Sequence, residues 1–595
     1  MGLKNREEIK DEYKWAINDI YKTDKLWEED LKKLEKMSVT PCQYKGRIYE
    51  GPDILYKAIK ESDDADFIIE RVYVYAFMKY YEDTSNPTYQ EMSGKAQSVA
   101  VKMSEKYSFL QPEILSVDED KLREYIKEEP LSEYAHLIED ILYSKEHTLS
   151  DKEEAILARV GDVTGVPNEI FSKFNNADVK FKQIKNSKGD SFDVTNGRFG
   201  ALMESHDREL RKKAFESLYA SYKDNINTIA AMFYGNVKQA QFYADVRKYN
   251  SSLERYLSGS FIPTSVYTNL IDTVNDNLNL MHRYVSLRKK ALKVDELHFY
   301  DIYAPMVEDF EWKVSYEEAK DMVLDALKPM GEEYVNIVKE GYENGWVDVY
   351  ENKGKRSGAF SWGCYGTHPY IFLNYTDTLN DVFTLIHETG HAMHTYYSNS
   401  TQPYVYAGYR IFVAEVASTV NESLLMQYLL KKCTDKKQKK YLLNHYFEQF
   451  KGTLYRQTMF AEFELKAHEM VANGEVLSAK SLCDIYRELN EKYFGKDMVI
   501  DENIAYEWAR IPHFYTPFYV YQYATGYSAA IAISLKILEG EKEVLEGYKQ
   551  FLKSGSLLHP IDLLKLAKVD MTKPEVVSDA LAVFKSVLDQ WEELD

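Results

Sequence analysis

Most of the chain carries hydrophobic residues at spacings of three and four, with charged residues between them. This period is typical of amphipathic helices that bury one face. The clearest stretches are residues 207–249, 266–292 and 439–472. Strand signals are few, and the strongest cluster of them lies between Trp346 and Asn374. The pattern therefore predicts a mainly α-helical protein with one small antiparallel β-meander.

The predicted meander ends just before the next long helix. Its central segment, Ala359 to Cys364, is our candidate for an exposed edge to which an extended peptide could add as a further strand. An ordinary buried meander is the alternative. The following helix is expected to begin near Thr378 or Asn380 and to run past His394.

Composition and charge exclude several classes of protein. With 45% hydrophobic and 28% charged residues, the chain is not intrinsically disordered. Its 74 basic and 95 acidic residues give a net charge of −21, which disfavours nucleic acids and anionic membranes as partners. We see no apolar run long enough for a membrane span, no secretory leader and no paired cysteines, so we expect a cytoplasmic protein.

The helix after the meander carries a metal-binding motif. His387-Glu388-Thr389-Gly390-His391 has the form H-E-x-x-H. Residues four apart lie on one face of a helix, so His387 and His391 can share one zinc ion, and Glu388 projects beside it. His394 returns to the same face one turn later, but it is more typical of a packing or supporting residue than of a ligand.

A catalytic zinc needs a third protein ligand and one open coordination position. Glu415 lies 24 residues after His391, on a predicted helix whose face is otherwise apolar or small. A buried acid on such a face is costly unless it is paired or bound to metal. Glu422, two turns later on that side, suits a supporting role in which it holds a ligand imidazole through its other nitrogen. Ordinary surface acids are the alternative for both.

A second group of candidate residues lies in an aromatic run. It surrounds His513 with five tyrosines, at positions 515, 519, 521, 523 and 527. A tyrosine hydroxyl or a histidine N–H can stabilise the negative oxygen that forms during peptide hydrolysis. A packed aromatic helix is the alternative reading of this run.

These motifs, in this order, resemble those of the M3 family of zinc oligopeptidases, and within it the oligoendopeptidase F branch. The resemblance rests on residues 387–394, the Glu415 helix, the His513–Tyr527 run and the strand Thr367–Asn374. It is densest between about residues 355 and 530.

The resemblance implies an elongated, helical zincin-type metallopeptidase with a deep internal channel that admits short peptides. Residues 1–200 would form part of the channel wall, and residues 201–595 the catalytic region. One zinc ion per chain would be held by His387, His391 and Glu415.

The resemblance also implies roles for the remaining site residues. Glu388 would be the general base and acid acting on a metal-activated water. His513, Tyr519 and Tyr527 would contact the substrate and stabilise the oxyanion, with Tyr515 and Tyr523 as alternatives.

The predicted function is thus zinc-dependent cleavage of internal bonds in short oligopeptides. Two other readings stay open at this point. One is an exopeptidase with the same zinc and base, and the other is a helical peptide-binding protein whose motif is accidental. The sequence indicates neither the oligomeric state nor the preferred cleavage sites.

Overall fold

The computed structural model of the chain describes residues 3–307 and 312–594. Helices account for 71% of the structure and strands for 3%, so the predicted mainly α-helical fold is confirmed. The helices, in chain order, are α1 Asp24–Val39, α2 Pro52–Glu82, α3 Pro87–Tyr107, α4 Leu110–Ser116, α5 Glu119–Tyr125, α6 Ala135–Tyr143, α7 Asp151–Thr164, α8 Val166–Lys173, α9 Asn196–Met203, α10 Arg208–Asp224, α11 Ile226–Val246, α12 Ser252–Ser258, α13 Thr264–Asp276, α14 Leu278–Leu292, α15 Tyr316–Ala326, α16 Glu332–Glu343, α17 Leu379–Thr401, α18 Tyr404–Ala407, α19 Ile411–Lys432, α20 Lys436–Gln449, α21 Arg456–Ala472, α22 Ala479–Phe494, α23 Tyr521–Leu538, α24 Lys542–Lys553, α25 Pro560–Leu566 and α26 Glu575–Leu594. The strands are β1 Ile184–Lys185, β2 Ser191–Phe192, β3 Leu297–His298, β4 Val347–Asp348, β5 Phe360–Trp362, β6 Tyr370–Phe372 and β7 Met498–Val499.

The chain folds into two compact units, each assembled from separate stretches of sequence. The first unit comprises residues 1–146, 311–428 and 533–569, and the second comprises 147–310, 429–532 and 570–595. The predicted division at residue 200, with the preceding part as a channel wall, is not tested by this grouping and stays a prediction.

The β-meander predicted between Trp346 and Asn374 is present in the first unit as three strands, but the sheet is mixed. It has the order β4-β6-β5. β5 pairs antiparallel with β6 as predicted, whereas β4 pairs parallel with β6, so the purely antiparallel meander was wrong. The long connection between β4 and β6 explains this, since it lets the chain return to pair in the same direction. β5 lies at an edge of the sheet, as expected for the segment from Ala359 to Cys364.

A buried ion-pair network fixes β4. The Asp348 carboxylate forms ion pairs with the Lys355 ammonium at 2.7 Å and with the Arg6 guanidinium at 2.5 Å, and the side chains of Asp348 and Lys355 are buried. Lys355 also donates to the carbonyl oxygen of Leu373, just after β6. Because a buried charge is costly without its partners, these contacts hold the sheet in one arrangement.

Tyrosines fill much of the core of the second unit. Four tyrosines that are fully buried lie on its helices α10, α13 and α14, namely Tyr219, Tyr222, Tyr267 and Tyr284. Tyr267 donates to the Ala461 carbonyl at 2.8 Å, and Tyr284 donates to Glu448 at 3.0 Å. A buried hydroxyl that is hydrogen-bonded avoids the desolvation penalty, which is why a chain with 49 tyrosines can pack them inside.

Candidate metal centre

The helix that carries the H-E-x-x-H motif begins where the sequence predicts. Thr378 is the N-cap of α17, and its hydroxyl accepts a hydrogen bond from the Asp381 N–H, while the Asp381 carboxylate accepts one from the Thr378 N–H. This reciprocal capping fixes the first turn. α17 then runs unbroken to Thr401, so His387 and His391 lie one turn apart on one face.

Three donor atoms meet between α17 and α19. The Nε2 atoms of His387 and His391 are 3.2 Å apart, and Glu415 Oε2 lies 3.5 Å from the first and 3.4 Å from the second. Zinc bonds of about 2.0–2.1 Å at tetrahedral angles place ligand atoms roughly 3.3–3.4 Å apart. The two imidazoles and the carboxylate thus fit one zinc ion, and these residues form a group that can hold a metal. The Glu415 side chain is 46% exposed, which leaves the site open on one side.

Neighbouring residues hold two of these donors. Glu422 Oε1 bonds His387 Nδ1, which leaves Nε2 facing the other donors. The Ser418 hydroxyl donates to Glu415 Oε2 at 3.1 Å. Glu422 therefore takes the supporting position predicted for it from the sequence.

Two contacts join α17 to its neighbours in ways the sequence did not indicate. Gly390 packs so closely on α19 that an added Cβ would lie 2.5 Å from the Ser418 Cα. On the other side, the hydroxyls of Tyr342 and Thr389 are 2.6 Å apart in a buried hydrogen bond. In the sequence, only the small size of Gly390 indicated its close contact with α19. The hydrogen bond of Thr389 depends on Tyr342, which lies 47 positions away.

The surroundings of His387 and Glu415 favour the charged forms of both side chains. Burial opposes ionisation of Glu415, but its hydrogen bond to His391 and the nearby imidazoles outweigh burial and lower its pKa to about 2. Burial likewise disfavours the His387 imidazolium, yet the Glu422 carboxylate outweighs it and raises the His387 pKa to about 9. A divalent cation would replace the positive charge that His387 otherwise carries.

Glu388 is buried beside this triangle. Glu388 lies on α17, between His387 and His391, and desolvation raises the pKa of its carboxyl group. The charges of His387 and His391 oppose this rise, and a hydrogen bond with the backbone of Ser361 in β5 opposes it more weakly. A carboxylate with a raised pKa is a better proton acceptor, so Glu388 is suited to general base chemistry. The same contact puts the edge strand β5 next to Glu388.

A cavity of about 1100 Å³ in the first unit extends along this edge strand. Its walls include Ser361 and Gly363 from the β5 segment, Thr395 from α17, and Asp66 and Glu70 from α2. Burial raises the pKa of Asp66 to about 6. An extended chain lying along β5 would therefore have open space beside it.

His394 does not join the donor triangle. Its ring stacks on Tyr409 at 3.7 Å and lies 5.2 Å from the Phe551 ring, and it is fully buried. Burial lowers its pKa to about 3, so the imidazole is neutral. The structure makes it a packing residue of α17.

The aromatic run belongs to the second unit. His513 lies beside Tyr519 and Tyr523, with ring centres 6.2 and 6.0 Å away, and Tyr523 Oη is 3.4 Å from His513 Nε2. Tyr515 is instead buried and stacked on Phe171. Tyr527 is buried with its ring edge-on to Phe450. The structure thus groups His513 with two of the four candidate tyrosines, and their catalytic roles stay predictions.

Comparison with known proteins agrees with this chemistry. Residues 201–583 match Peptidase family M3, and residues 113–181 match the Oligopeptidase F family. The chain belongs to the M3 peptidase family. It is 49% identical over 593 residues to oligopeptidase PepF of Bacillus subtilis, covering 100% of this chain and 88% of that protein. M3 oligoendopeptidases are metalloendopeptidases that hydrolyse peptide bonds, so the predicted enzyme class is confirmed.

Solved structures show the same fold. Oligoendopeptidase-F from Enterococcus faecium matches with a TM-score of 0.73 at 38% identity, covering 96% of this chain and 97% of that one. A Chlamydophila abortus crystal structure described as a peptidase matches with a TM-score of 0.95 at 35% identity, covering both chains completely.

The M3 family is a family of zinc metallopeptidases. Within the described ranges, no helix is both long and apolar enough to cross a membrane.

Proposed function

We propose that this chain is a zinc-dependent oligoendopeptidase of the cytoplasm that cleaves internal bonds of short oligopeptides. One zinc ion per chain would be held by His387, His391 and Glu415. The observation that carries the proposal is the triangle of donor atoms, whose sides of 3.2–3.5 Å suit one tetrahedral ion. Nucleic acids and membranes are not expected partners, given the net charge of −21.

The residues around the triangle would divide the chemistry between them. When bound, zinc polarises the scissile carbonyl and lowers the pKa of the attacking water. Glu388 accepts the proton of that water and passes it to the leaving amine. His513, with Tyr519 and Tyr527, would donate hydrogen bonds to the oxyanion. Tyr523 is a further candidate because it lies beside His513.

The edge strand supports a role in peptide binding. A substrate that pairs with β5 would be held through main-chain hydrogen bonds, which accept many sequences. Glu388 contacts the backbone of Ser361 in that strand, so a peptide paired there would run past the general base. This arrangement favours binding along the middle of a peptide and hence internal cleavage.

The proposal is tested by zinc analysis and digestion of a peptide blocked at both ends. We expect about one tightly bound zinc per chain, internal cuts, and loss of cutting with a chelator. A chain that removes only terminal residues from unblocked peptides would be an exopeptidase, which contradicts the proposal.

The role of Glu388 is tested separately with Glu388→Gln. This variant should keep its zinc and lose nearly all turnover, at least about 10²-fold. Glu113→Gln is a matched control, since Glu113 lies on α4, where its carboxylate accepts the Gly46 N–H at 2.7 Å. Substantial turnover by zinc-loaded Glu388→Gln would remove Glu388 from the mechanism.

A further inference from the structure

A second cluster of metal-binding side chains lies in the first unit, on elements that carry none of the residues discussed above. His136 and Asp140 are four residues apart on α6 and share one face of it. His559 is the N-cap residue of α25, 419 positions after Asp140. These three residues form a group whose ligand atoms all lie within 4.8 Å of one another.

Both imidazoles point at the same carboxylate oxygen. His559 Nε2 lies 2.9 Å from Asp140 Oδ1, and His136 Nε2 lies 3.8 Å from that same atom. The two rings are 5.0 Å apart. A single ion pair would need only one of these rings, so the second ring is unexplained by simple charge pairing.

The state of His136 suits a metal ligand. Its Nε2 atom is buried and has no hydrogen-bond partner, whereas a hydrogen bond with the Ser556 backbone orients the ring. Burial, together with the charges of His559 and Arg410, outweighs the opposing Asp140 carboxylate and lowers the His136 pKa, which favours the neutral imidazole. Metals bind the neutral form of histidine, and an ion would satisfy the buried nitrogen.

We propose that His136, Asp140 and His559 form a second divalent-metal site that binds zinc. Two imidazoles and one carboxylate match zinc chemistry, with water completing the tetrahedron. The three side chains are only 19–32% exposed, so the ion would be sheltered from solvent. A shift of about half an ångström by His136 would bring its Nε2 atom to tetrahedral ligand spacing from Asp140 Oδ1.

Arg410 limits the affinity of this site. Its guanidinium Nη2 lies 2.5 Å from Asp140 Oδ2, so one carboxylate oxygen faces the arginine and the other faces the two rings. The nearby positive charge repels a divalent cation and draws charge from the shared carboxylate. The site should therefore bind zinc more weakly than the triangle on α17 and α19, where two histidines and a carboxylate already stand at ligand spacing.

The test is equilibrium dialysis of the full chain against increasing zinc, with bound metal counted by mass spectrometry. Wild-type protein should bind one tight and one weaker equivalent. His136→Gln and His559→Gln should each lose the weaker equivalent and keep the tight one, which also shows that each variant is folded. If one variant does not fold, the other decides.

His298→Gln is the matched control. His298 Nδ1 lies 2.8 Å from an Asp501 oxygen, and each side chain is 19% exposed, much as for His559 and Asp140. Within the described ranges, however, it belongs to no group of three metal-binding residues. This variant should bind zinc as the wild type does.

Removing the repelling charge gives a test that a merely structural role would not pass. Arg410→Gln should tighten the weaker equivalent at least about threefold, because the cation no longer competes with a guanidinium for Asp140. The proposal is overturned if wild type lacks the weaker equivalent, or if that equivalent survives in both histidine variants. A wild type that binds only a weaker equivalent, which both histidine variants lose, would count against the proposed catalytic zinc and leave this site standing.

Discussion

Replacing Gly390 by alanine should damage the metal centre through backbone crowding. The added Cβ would lie 2.5 Å from Ser418 Cα, 2.6 Å from the Ala417 carbonyl oxygen and 2.7 Å from Ser418 N. All three are backbone atoms of α19, so no side chain can rotate away. Carbon atoms in contact need about 3.5 Å, so the two helices must separate by about 1 Å.

That separation acts directly on the ligand triangle. Glu415 lies three residues before Ser418 on the same helix, and its Oε2 atom is now 3.4 Å from His391 Nε2. A shift of about 1 Å would take this oxygen beyond the spacing of a tetrahedral zinc site. Overpacking of this kind costs about 1–3 kcal/mol of stability, and a misplacement of 1 Å can lower kcat/KM by about 10²-fold.

The assay compares Gly390→Ala with Gly94→Ala. Gly94 is also inside a helix of the first unit, α3, but an added Cβ there would meet nothing within 4 Å. Gly94→Ala should therefore keep zinc affinity and kcat/KM, and gain about 0.5–1 kcal/mol from helix propensity. Zinc affinity is measured by competition with a chelator, and stability by thermal unfolding of the metal-free protein. The reasoning is refuted if Gly390→Ala stays within twofold of Gly94→Ala in zinc affinity and kcat/KM.

Three further predictions follow from single contacts. Glu422→Gln weakens the support of His387 and should lower zinc affinity about 10–100-fold in the chelator competition; an unchanged affinity would contradict it. Tyr342→Phe removes the buried hydrogen bond to Thr389 and should cost about 1 kcal/mol in thermal unfolding, with Tyr→Phe at exposed Tyr49 as the neutral control. Asp207, the N-cap of α10, has its pKa lowered to about 2, chiefly by hydrogen bonds from Ser187. Because the folded-state pKa of Asp207 lies below its unfolded value, the stabilisation that Asp207 gives is full above about pH 4 and fades as pH falls towards 2. Asp207→Ala should therefore lower the free energy of unfolding by about 1 kcal/mol at pH 7 and by less at pH 3. An equal cost at both pH values would contradict this.

Local rules accounted for much of the metal centre. The spacing of His387 and His391, the start of α17 at Thr378, and the placement of Glu415 and Glu422 on one returning helix all follow from helix geometry and the costs of burial. These features depend on residues close in sequence or on a single strong chemical requirement. For that reason the sequence predicts them.

Other features depend on partners that sequence spacing does not reveal. The parallel pairing of β4 with β6 is set by a long connection and by Lys355, which reaches both strands through Asp348 and the Leu373 carbonyl. His394 lies on the same helical face as the candidate ligands, yet its ring stacks on Tyr409 and does not join them. A metal-binding histidine and a packed histidine have the same residue type and can have the same helical spacing, so only the structure distinguishes them.

The assembly of each unit from separate stretches of sequence has a consequence for synthesis of the chain. The first unit includes residues 1–146 and also residues 533–569, so its earliest helices reach their last partners only after about 420 more residues have been made. At translation rates of about 5–20 residues per second, this interval is roughly 20–85 s. Until then α6 lacks His559, which bonds Asp140, and α17 lacks α24, against which it packs. The helix α17, which carries two of the candidate metal ligands, therefore leaves the ribosome before the unit that contains it can close.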